Sequence, residues 1–123
     1  MKTHTDTEHL TPVSSQLPLV TTLAECIAAC NHCMVSCLHE EEAHHLKECI
    51  ELNHDCAAIC QLTLNLLTAH SRFAAEVVKI CVDVCARCAA ECRQHPMEHC
   101  TECEAACIKC EQACRDYLKE TNG

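Results

Sequence analysis

Glycine and aromatic residues are almost missing from this chain of 123 residues. It has one glycine, at its last position, together with three prolines, one phenylalanine, one tyrosine and no tryptophan. Tight turns and β-hairpins depend on glycine and proline, so the chain has little material with which to build a β-sheet protein. The composition therefore predicts an all-α fold.

Basic charge and long apolar runs are also scarce. Nine Lys and Arg residues stand against eighteen Asp and Glu residues, which gives a net charge of −9 at pH 7. This excess of acid argues against nucleic-acid binding, because nothing would neutralise a phosphate backbone. No run approaches the roughly 20 apolar residues of a membrane span. Residues 1–10 show neither an apolar signal-peptide core nor a twin arginine. We therefore expect a cytoplasmic protein with no membrane partner.

Cysteine, in contrast, is abundant. The chain has 16 cysteines in 123 residues, a fraction of about 13% that normally marks a disulfide scaffold. Disulfides require an oxidising compartment, and the chain shows no export signal. In a reducing compartment the thiols stay free, and dense cysteine then more often indicates metal or redox chemistry.

The cysteines recur at the spacing of a helix face. Steps of 4, 3 and 4 residues keep side chains on one side of an α-helix, and do not fit a knuckle or a hairpin. Four sets contain all of them: Cys26, Cys30, Cys33 and Cys37; Cys49, Cys56 and Cys60; Cys81, Cys85, Cys88 and Cys92; and Cys100, Cys103, Cys107, Cys110 and Cys114. Asn53 stands seven residues before Cys60, where the pattern would place another thiol.

These sets predict four helices of similar length. Pro18 and Pro96 suit the first turn of a helix, and Ser71 suits an N-cap. Short connections make neighbouring helices antiparallel, so the predicted fold is an all-α, antiparallel up-down four-helix bundle with a cysteine-lined core. The predicted ranges are a flexible tail at 1–17, a bundle at 18–119 with helices at about 18–42, 43–69, 72–94 and 96–119, and a C-terminal tail at 120–123.

Three uses of cysteine without a soft metal ion fit poorly. Free cysteine packs well as a small buried residue, but sixteen on one seam would make a poor apolar core. Disulfides within one helix would be strained, because the Cβ vectors run side by side. Iron–sulfur proteins use C-x2-C-x2-C and a terminal cysteine–proline pair, which this chain does not have.

Charge favours Cu(I) over Zn²⁺ as the ion for this core. A buried thiolate needs a compensating cation, and one Cu(I) for each thiolate makes the core neutral. Four-thiolate zinc sites would use sixteen thiolates for four ions, and leave 16 − 8 = 8 negative charges inside. Soft thiolates select Cu(I), which accepts pairs of cysteines, so the capacity is on the order of the cysteine count.

The chain resembles the four-helix-bundle copper storage proteins, in particular their cytosolic class, over residues 20–116. The resemblance is carried by Cys26-x3-Cys30-x2-Cys33-x3-Cys37, His44-His45-Leu46-x2-Cys49, Asp55-Cys56-Ala57-x2-Cys60 and His99-Cys100-x2-Cys103-x3-Cys107-x2-Cys110. It implies a reduced protein that binds many Cu(I) ions inside the bundle, mostly through paired thiolates. It also implies assembly as a homotetramer.

The up-down topology places different residues at the two ends of the bundle. One end, called here the histidine end, gathers soft or borderline ligands: His39, His44, His45, His95, Met97 and His99. The other, called here the apolar end, gathers Leu19, Leu23, Leu64, Leu67, Phe73, Val77, Tyr117 and Leu118. We expect Cu(I) to enter at the histidine end, with His45 and His95 facing inward and Met97 and His99 at the rim.

The sequence therefore predicts a non-catalytic, cytosolic store that binds multiple Cu(I) ions, for sequestration, detoxification or later supply. The predicted ligands are all sixteen cysteines together with His45, His95, Met97 and His99. A thiol redox protein that cycles disulfides, a zinc or heavy-metal sink, and a copper chaperone are the alternatives. No C-x-x-C motif lies at a helix start in a βαβ setting, which disfavours the redox protein. A chaperone needs one exposed site, whereas a buried ladder provides capacity.

Overall fold

The computed structural model describes residues 13–122, with side chains described from 16 to 121. Over that range the chain forms four α-helices and one short 3₁₀ helix. The α-helices are α1 (Val13–Leu38), α2 (Lys47–Thr68), α3 (Ala74–Cys92) and α4 (Glu98–Asn122), and the 3₁₀ helix Ala43–Leu46 directly precedes α2. The predicted all-α fold is confirmed.

The helices stand at the four corners of a square bundle. Helix α1 packs against α2 and α4, and α3 packs against the same two helices. The diagonal pairs do not pack directly against each other within the described residues. Since each connection is short, neighbours run antiparallel, and the ends of α1 and α3 lie beside the starts of α2 and α4.

Cysteine occupies the core positions that leucine holds in an ordinary bundle. All sixteen thiols are fully buried. The helix pattern explains this, because residues four and seven apart lie on the same side of a helix. The axis of the bundle is therefore lined by sulfur over most of its length.

Leucine and valine close the apolar end. Leu19, Leu23, Leu67 and Val78 are buried there. Leu64, Tyr117 and Leu118 are partly buried and pack against the core. The placement of Phe73 was wrong, since its side chain is 61% exposed. Phe73 precedes the first residue of α3, where it does not share the inward face of the helix.

The helix boundaries differ from the predicted ones at both ends of the chain. Helix α1 begins at Val13, so residues 13–17 of the predicted tail are helical, and residues 1–12 lie outside the described range. Pro18 therefore lies inside α1 and not at its first turn. The helix ends at Leu38 because residues 39–42 form turns. Helix α4 starts at Glu98, two residues after Pro96, and continues to Asn122.

The turn between α2 and α3 is made without glycine. His70 adopts a positive φ of 56°, and the backbone N–H of Ser71 donates to the carbonyl of Leu66 at 2.9 Å. A left-handed residue with this bond is the Schellman ending of a helix. The Ser71 hydroxyl accepts the N–H of Phe73 at 3.0 Å, so Ser71 stabilises the turn before α3 without being the residue adjacent to the helix.

One helical stretch, Gln16–Leu38, is long and apolar enough to span a membrane by length and composition. The prediction that no run approaches this length was therefore too strong. The mean hydropathy of this stretch reaches 1.3. Four of its residues are the buried cysteines of α1, which face the other helices of the bundle.

Candidate metal centre

Sulfur atoms from neighbouring helices meet along the axis of the bundle. The Sγ atoms of Cys60 and Cys81 are 3.7 Å apart across α2 and α3. Those of Cys30 and Cys107 are also 3.7 Å apart, across α1 and α4. A disulfide bond would require about 2.05 Å, and all sixteen cysteines are free. The core is therefore a set of reduced thiols in contact across helices.

These thiols form overlapping groups that could each hold an ion. In each group the ligand atoms lie within 4.8 Å of one another. The groups include Cys26/Cys60/Cys85/Cys110, Cys26/Cys30/Cys56/Cys107, Cys30/Cys88/Cys103/Cys107, Cys33/Cys49/Cys92 and Cys33/Cys37/Cys100/His99. Because neighbouring groups share members, they form a connected series and not isolated tetrads. An all-sulfur interior of this kind favours soft ions.

The last of these groups, called here the mouth site, lies nearest the histidine end. It consists of Cys33 and Cys37 from α1 and of His99 and Cys100 from the first turn of α4. The Nδ1 atom of His99 lies 3.5 Å from the sulfur of Cys33, 3.6 Å from that of Cys100 and 4.0 Å from that of Cys37. The mouth site therefore combines three thiols and one imidazole.

The three thiols of the mouth site differ in their protonation. Burial is the main reason that the pKa values of Cys37 and Cys100 are raised, since a charged thiolate is poorly solvated there, and neighbouring thiolates add to the effect. Both thiols therefore keep their protons at neutral pH. An ion that binds either of them must displace a proton.

Cys33 behaves in the opposite way. Its interaction with Cys103 acts to raise its pKa, but hydrogen bonds from Cys49, Cys92 and His99 favour the thiolate and lower the pKa to about 5. The mouth site therefore presents one thiolate at neutral pH. A thiolate, and not a thiol, is the form that binds metal.

His99 has a raised pKa. Burial acts to lower it, but hydrogen bonds to Cys33 and Glu40 and the charges of the same two residues outweigh burial. The side chain is 13% exposed, and its Nε2 lies 2.8 Å from the Glu40 carboxylate. Sequence reasoning placed His99 at the rim, whereas the structure places it inside, between a carboxylate and three thiols.

His45 and His95 do not form the predicted inward pair. The side chain of His45 is 65% exposed and lies 3.3 Å from Glu42. His45 belongs to the 3₁₀ helix, whose three residues per turn do not continue the face of α2. His95 follows the end of α3 and contacts Glu91 at 2.8 Å, away from the thiols.

The remaining predicted residues of the histidine end lie on its outside. Met97 is partly buried and packs against the core. His39 and His44 are exposed, and the ring of His44 packs edge-on against that of His45 at 4.1 Å. A cavity of about 450 Å³ lies between the two connections, lined by residues 40–42, His45, Leu46 and residues 95–97. The two connections therefore share one end of the bundle, as predicted.

Asn53 fills the gap in the cysteine pattern of α2, and sequence reasoning found no role for it. The side chain is fully buried. Its Oδ1 accepts the thiol protons of Cys88 at 3.2 Å, Cys103 at 3.4 Å and Cys92 at 3.8 Å. Its Nδ2 donates to the sulfur of Cys49 at 3.6 Å. One amide thus connects thiols of α2, α3 and α4.

A family model described as "Copper storage protein" matches residues 14–119 of the chain. The chain belongs to the copper storage protein family. The match covers the whole bundle, and with it every cysteine of the series.

Relatives of this copper storage protein agree in fold and in sequence. The uncharacterized cysteine-rich protein YhjQ of Bacillus subtilis is 42% identical over 91 residues, which are 74% of this chain and 84% of YhjQ. The solved Cu(I)-bound copper storage protein BsCsp3 is 38% identical with a TM-score of 0.80, and the match covers 82% of this chain and 95% of that one. A cytosolic copper storage protein from Streptomyces lividans, with five coppers, is 34% identical with a TM-score of 0.83, and the match covers 86% and 93% of the two chains.

In this copper storage protein, the structure brings together all sixteen predicted cysteines and His99. It leaves His45 and His95 outside that set, and Met97 at its edge. Two residues that contact the set, Asn53 and Glu40, were not predicted as part of it. The gap in the heptad pattern was the signal for Asn53, whereas the sequence held no signal for Glu40.

Proposed function

We propose that this protein stores Cu(I) ions, bound mainly by the thiolates of its sixteen cysteines. The observation that carries this proposal is the connected series of fully buried thiol groups along the bundle axis. Its relatives are described as Cu(I)-bound and as loaded with five coppers, which supports the same cargo here. The protein is non-catalytic, and holds the ions for sequestration, detoxification or later supply.

Cu(I) enters at the mouth site. The Cys33 thiolate can bind the first ion there without losing a proton, and His99 lies beside it at 3.5 Å. Further ions reach the deeper groups through the cysteines that neighbouring groups share. His45, His95 and Met97 lie outside the thiol series, and are weaker candidates for ligands than His99.

The buried position of the thiols disfavours a redox protein. Disulfide exchange begins with an accessible thiolate that attacks a sulfur of its partner. All sixteen sulfurs are inaccessible in the folded bundle. A partner's disulfide could not approach them, whereas a single metal ion passing from thiol to thiol could.

The protein acts in the cytosol as a homotetramer. The description of the Streptomyces lividans relative as cytosolic supports the location. Association is supported by apolar side chains on the outer faces of three helices, since Leu62 is 44%, Ile80 53% and Ile108 44% exposed. Light scattering of the reduced protein measures the assembly directly, and a monomer would contradict this part of the proposal.

The decisive experiment is an anaerobic titration of the fully reduced protein with Cu(I) against a competing chelator. The expected capacity is on the order of sixteen ions per chain, since each sulfur can bridge two ions. Replacing Cys60 and Cys81 together by serine should lower the capacity in proportion to the thiols lost. The matched control is Ser36→Ala, a change outside the thiol series.

Two results would reject storage of copper. Saturation after one or two ions would leave most of the thiols without a function in storage. Equal occupancy by Zn²⁺ in direct competition would reject the choice of metal. Helical content measured during the titration should change little, because the four helices are already formed without metal.

A further inference from the structure

Glu40 is the one acidic residue in the described chain that contacts an imidazole of the mouth site. It lies in the connection after α1, 59 residues before His99 in the sequence. Its Oε2 atom is 2.8 Å from Nε2 of His99, and the two side chains are 37% and 13% exposed. The contact therefore joins the α1–α2 connection to the first turn of α4.

The contact decides which nitrogen of His99 faces the thiols as a free ligand. A carboxylate only accepts hydrogen bonds, so Nε2 must carry a proton to bond Glu40. When the ring is neutral, the lone pair is then on Nδ1, which lies 3.5 Å from Cys33 and 3.6 Å from Cys100. A partner on one ring nitrogen sets the role of the other in this way.

We propose that Glu40 is a positioning residue that holds His99 with Nε2–H outward and Nδ1 toward Cys33, ready to bind an incoming Cu(I). The proposal rests on the storage function above, in which His99 is part of the first site that the ion meets. Glu40 does not bind the ion itself. It acts through His99, by fixing the orientation and tautomer of the ring.

The neighbouring acidic residues do not share this arrangement. Glu41 is exposed, and Glu42 lies 3.8 Å from His44 and 3.3 Å from His45, both exposed histidines. His95 has a carboxylate partner in Glu91 at 2.8 Å. Within the described residues, however, His99 is the histidine that contacts both a carboxylate and the core thiols.

A first experiment reads the ring directly and needs no copper. The reduced, metal-free protein is labelled with ¹⁵N-histidine, and long-range proton–nitrogen spectra are recorded at a pH where the His99 ring is neutral. We expect the Nε2–H tautomer in the wild type and in Glu41→Ala, and a mixture or the reverse tautomer in Glu40→Ala. An unchanged tautomer in Glu40→Ala would overturn the proposal.

A second experiment measures the rate at which the first equivalents of Cu(I) leave a chelator for the protein. Glu40→Ala should load about tenfold more slowly, at the lower end of the range for losing a residue that orients a metal ligand. Glu41→Ala removes the same charge from the same turn, and should change the rate less than twofold. Glu40→Gln keeps an acceptor for Nε2–H, and should restore part of the rate.

The double variant separates positioning from simple attraction of the cation. If Glu40 acts through His99, Glu40→Ala combined with His99→Ala loads no more slowly than His99→Ala alone. Effects that multiply would mean that Glu40 acts independently of the ring, and would overturn the proposal. Total capacity at equilibrium should be equal in all variants. A low capacity in the wild type would refute storage itself, while the tautomer result would still stand.

Discussion

Replacing Asn53 should destabilise the metal-free bundle more than its single side chain suggests. Asn53→Ala removes the acceptor of the thiols of Cys88 and Cys103 and the donor to Cys49, all inside a dry core. Leaving a buried polar group without a partner costs about 1–3 kcal/mol, and thiols are weak donors, so we expect about 2 kcal/mol for the variant. For a domain of this size that corresponds to a midpoint lower by roughly 8 °C.

The assay is thermal unfolding of the reduced, chelator-treated protein, followed by far-ultraviolet circular dichroism. Asn65→Ala is the matched control. Asn65 lies on the same helix, is exposed, and accepts a hydrogen bond from Gln61 at 2.9 Å on the surface. Its replacement should change stability by less than about 0.5 kcal/mol.

A second replacement separates the lost hydrogen bonds from the lost volume. Asn53→Leu restores most of the volume but offers the neighbouring thiols no polar partner. If the amide matters as a partner, the leucine variant stays less stable than the wild type. A wild-type midpoint in both variants would refute the reasoning, because Asn53 would then be a spacer in the core and not the centre of its hydrogen bonding.

Two further predictions concern the two ends of the bundle. The first phase of Cu(I) loading should slow as the pH falls through about 5, because the lowered pKa of Cys33 keeps it a thiolate only above that value; stopped-flow loading across this range measures it, and a flat profile would contradict the assigned thiolate. At the apolar end, Leu23→Ala should destabilise the protein by about 3 kcal/mol. Leu62→Ala, at a residue that is 44% exposed, should cost less than about 1 kcal/mol in the same denaturant series, and equal losses would show that the leucine closure is not packed.

The fold could be predicted because one residue type marks the core at helical spacing. Steps of 3 and 4 between cysteines determine which face of each helix is inward, and all sixteen are buried accordingly. The same rule placed Asn53 inside. It could not reveal what Asn53 does, because its partners Cys88 and Cys103 come from two other helices and meet only in the folded bundle.

The histidine end could not be predicted in the same way, since the helical pattern stops before it. Extending the face of α2 backward made His45 inward, but a 3₁₀ turn intervenes and rotates it outward. Extending α3 forward did the same for His95, which follows the end of that helix. His99 lies in the first turn of α4, where a side chain leans back toward the start of its helix and reaches the cysteines of α1.

The closed apolar end has a consequence for the order in which ions leave. With Leu19, Leu23, Leu67 and Val78 buried at the far end, the thiol series is a dead-end channel for an ion that enters through the mouth site. Ions in such a channel cannot overtake one another. The protein then behaves as a stack, in which the copper taken up last is the first to be given back, and the copper at the leucine floor is the slowest to exchange.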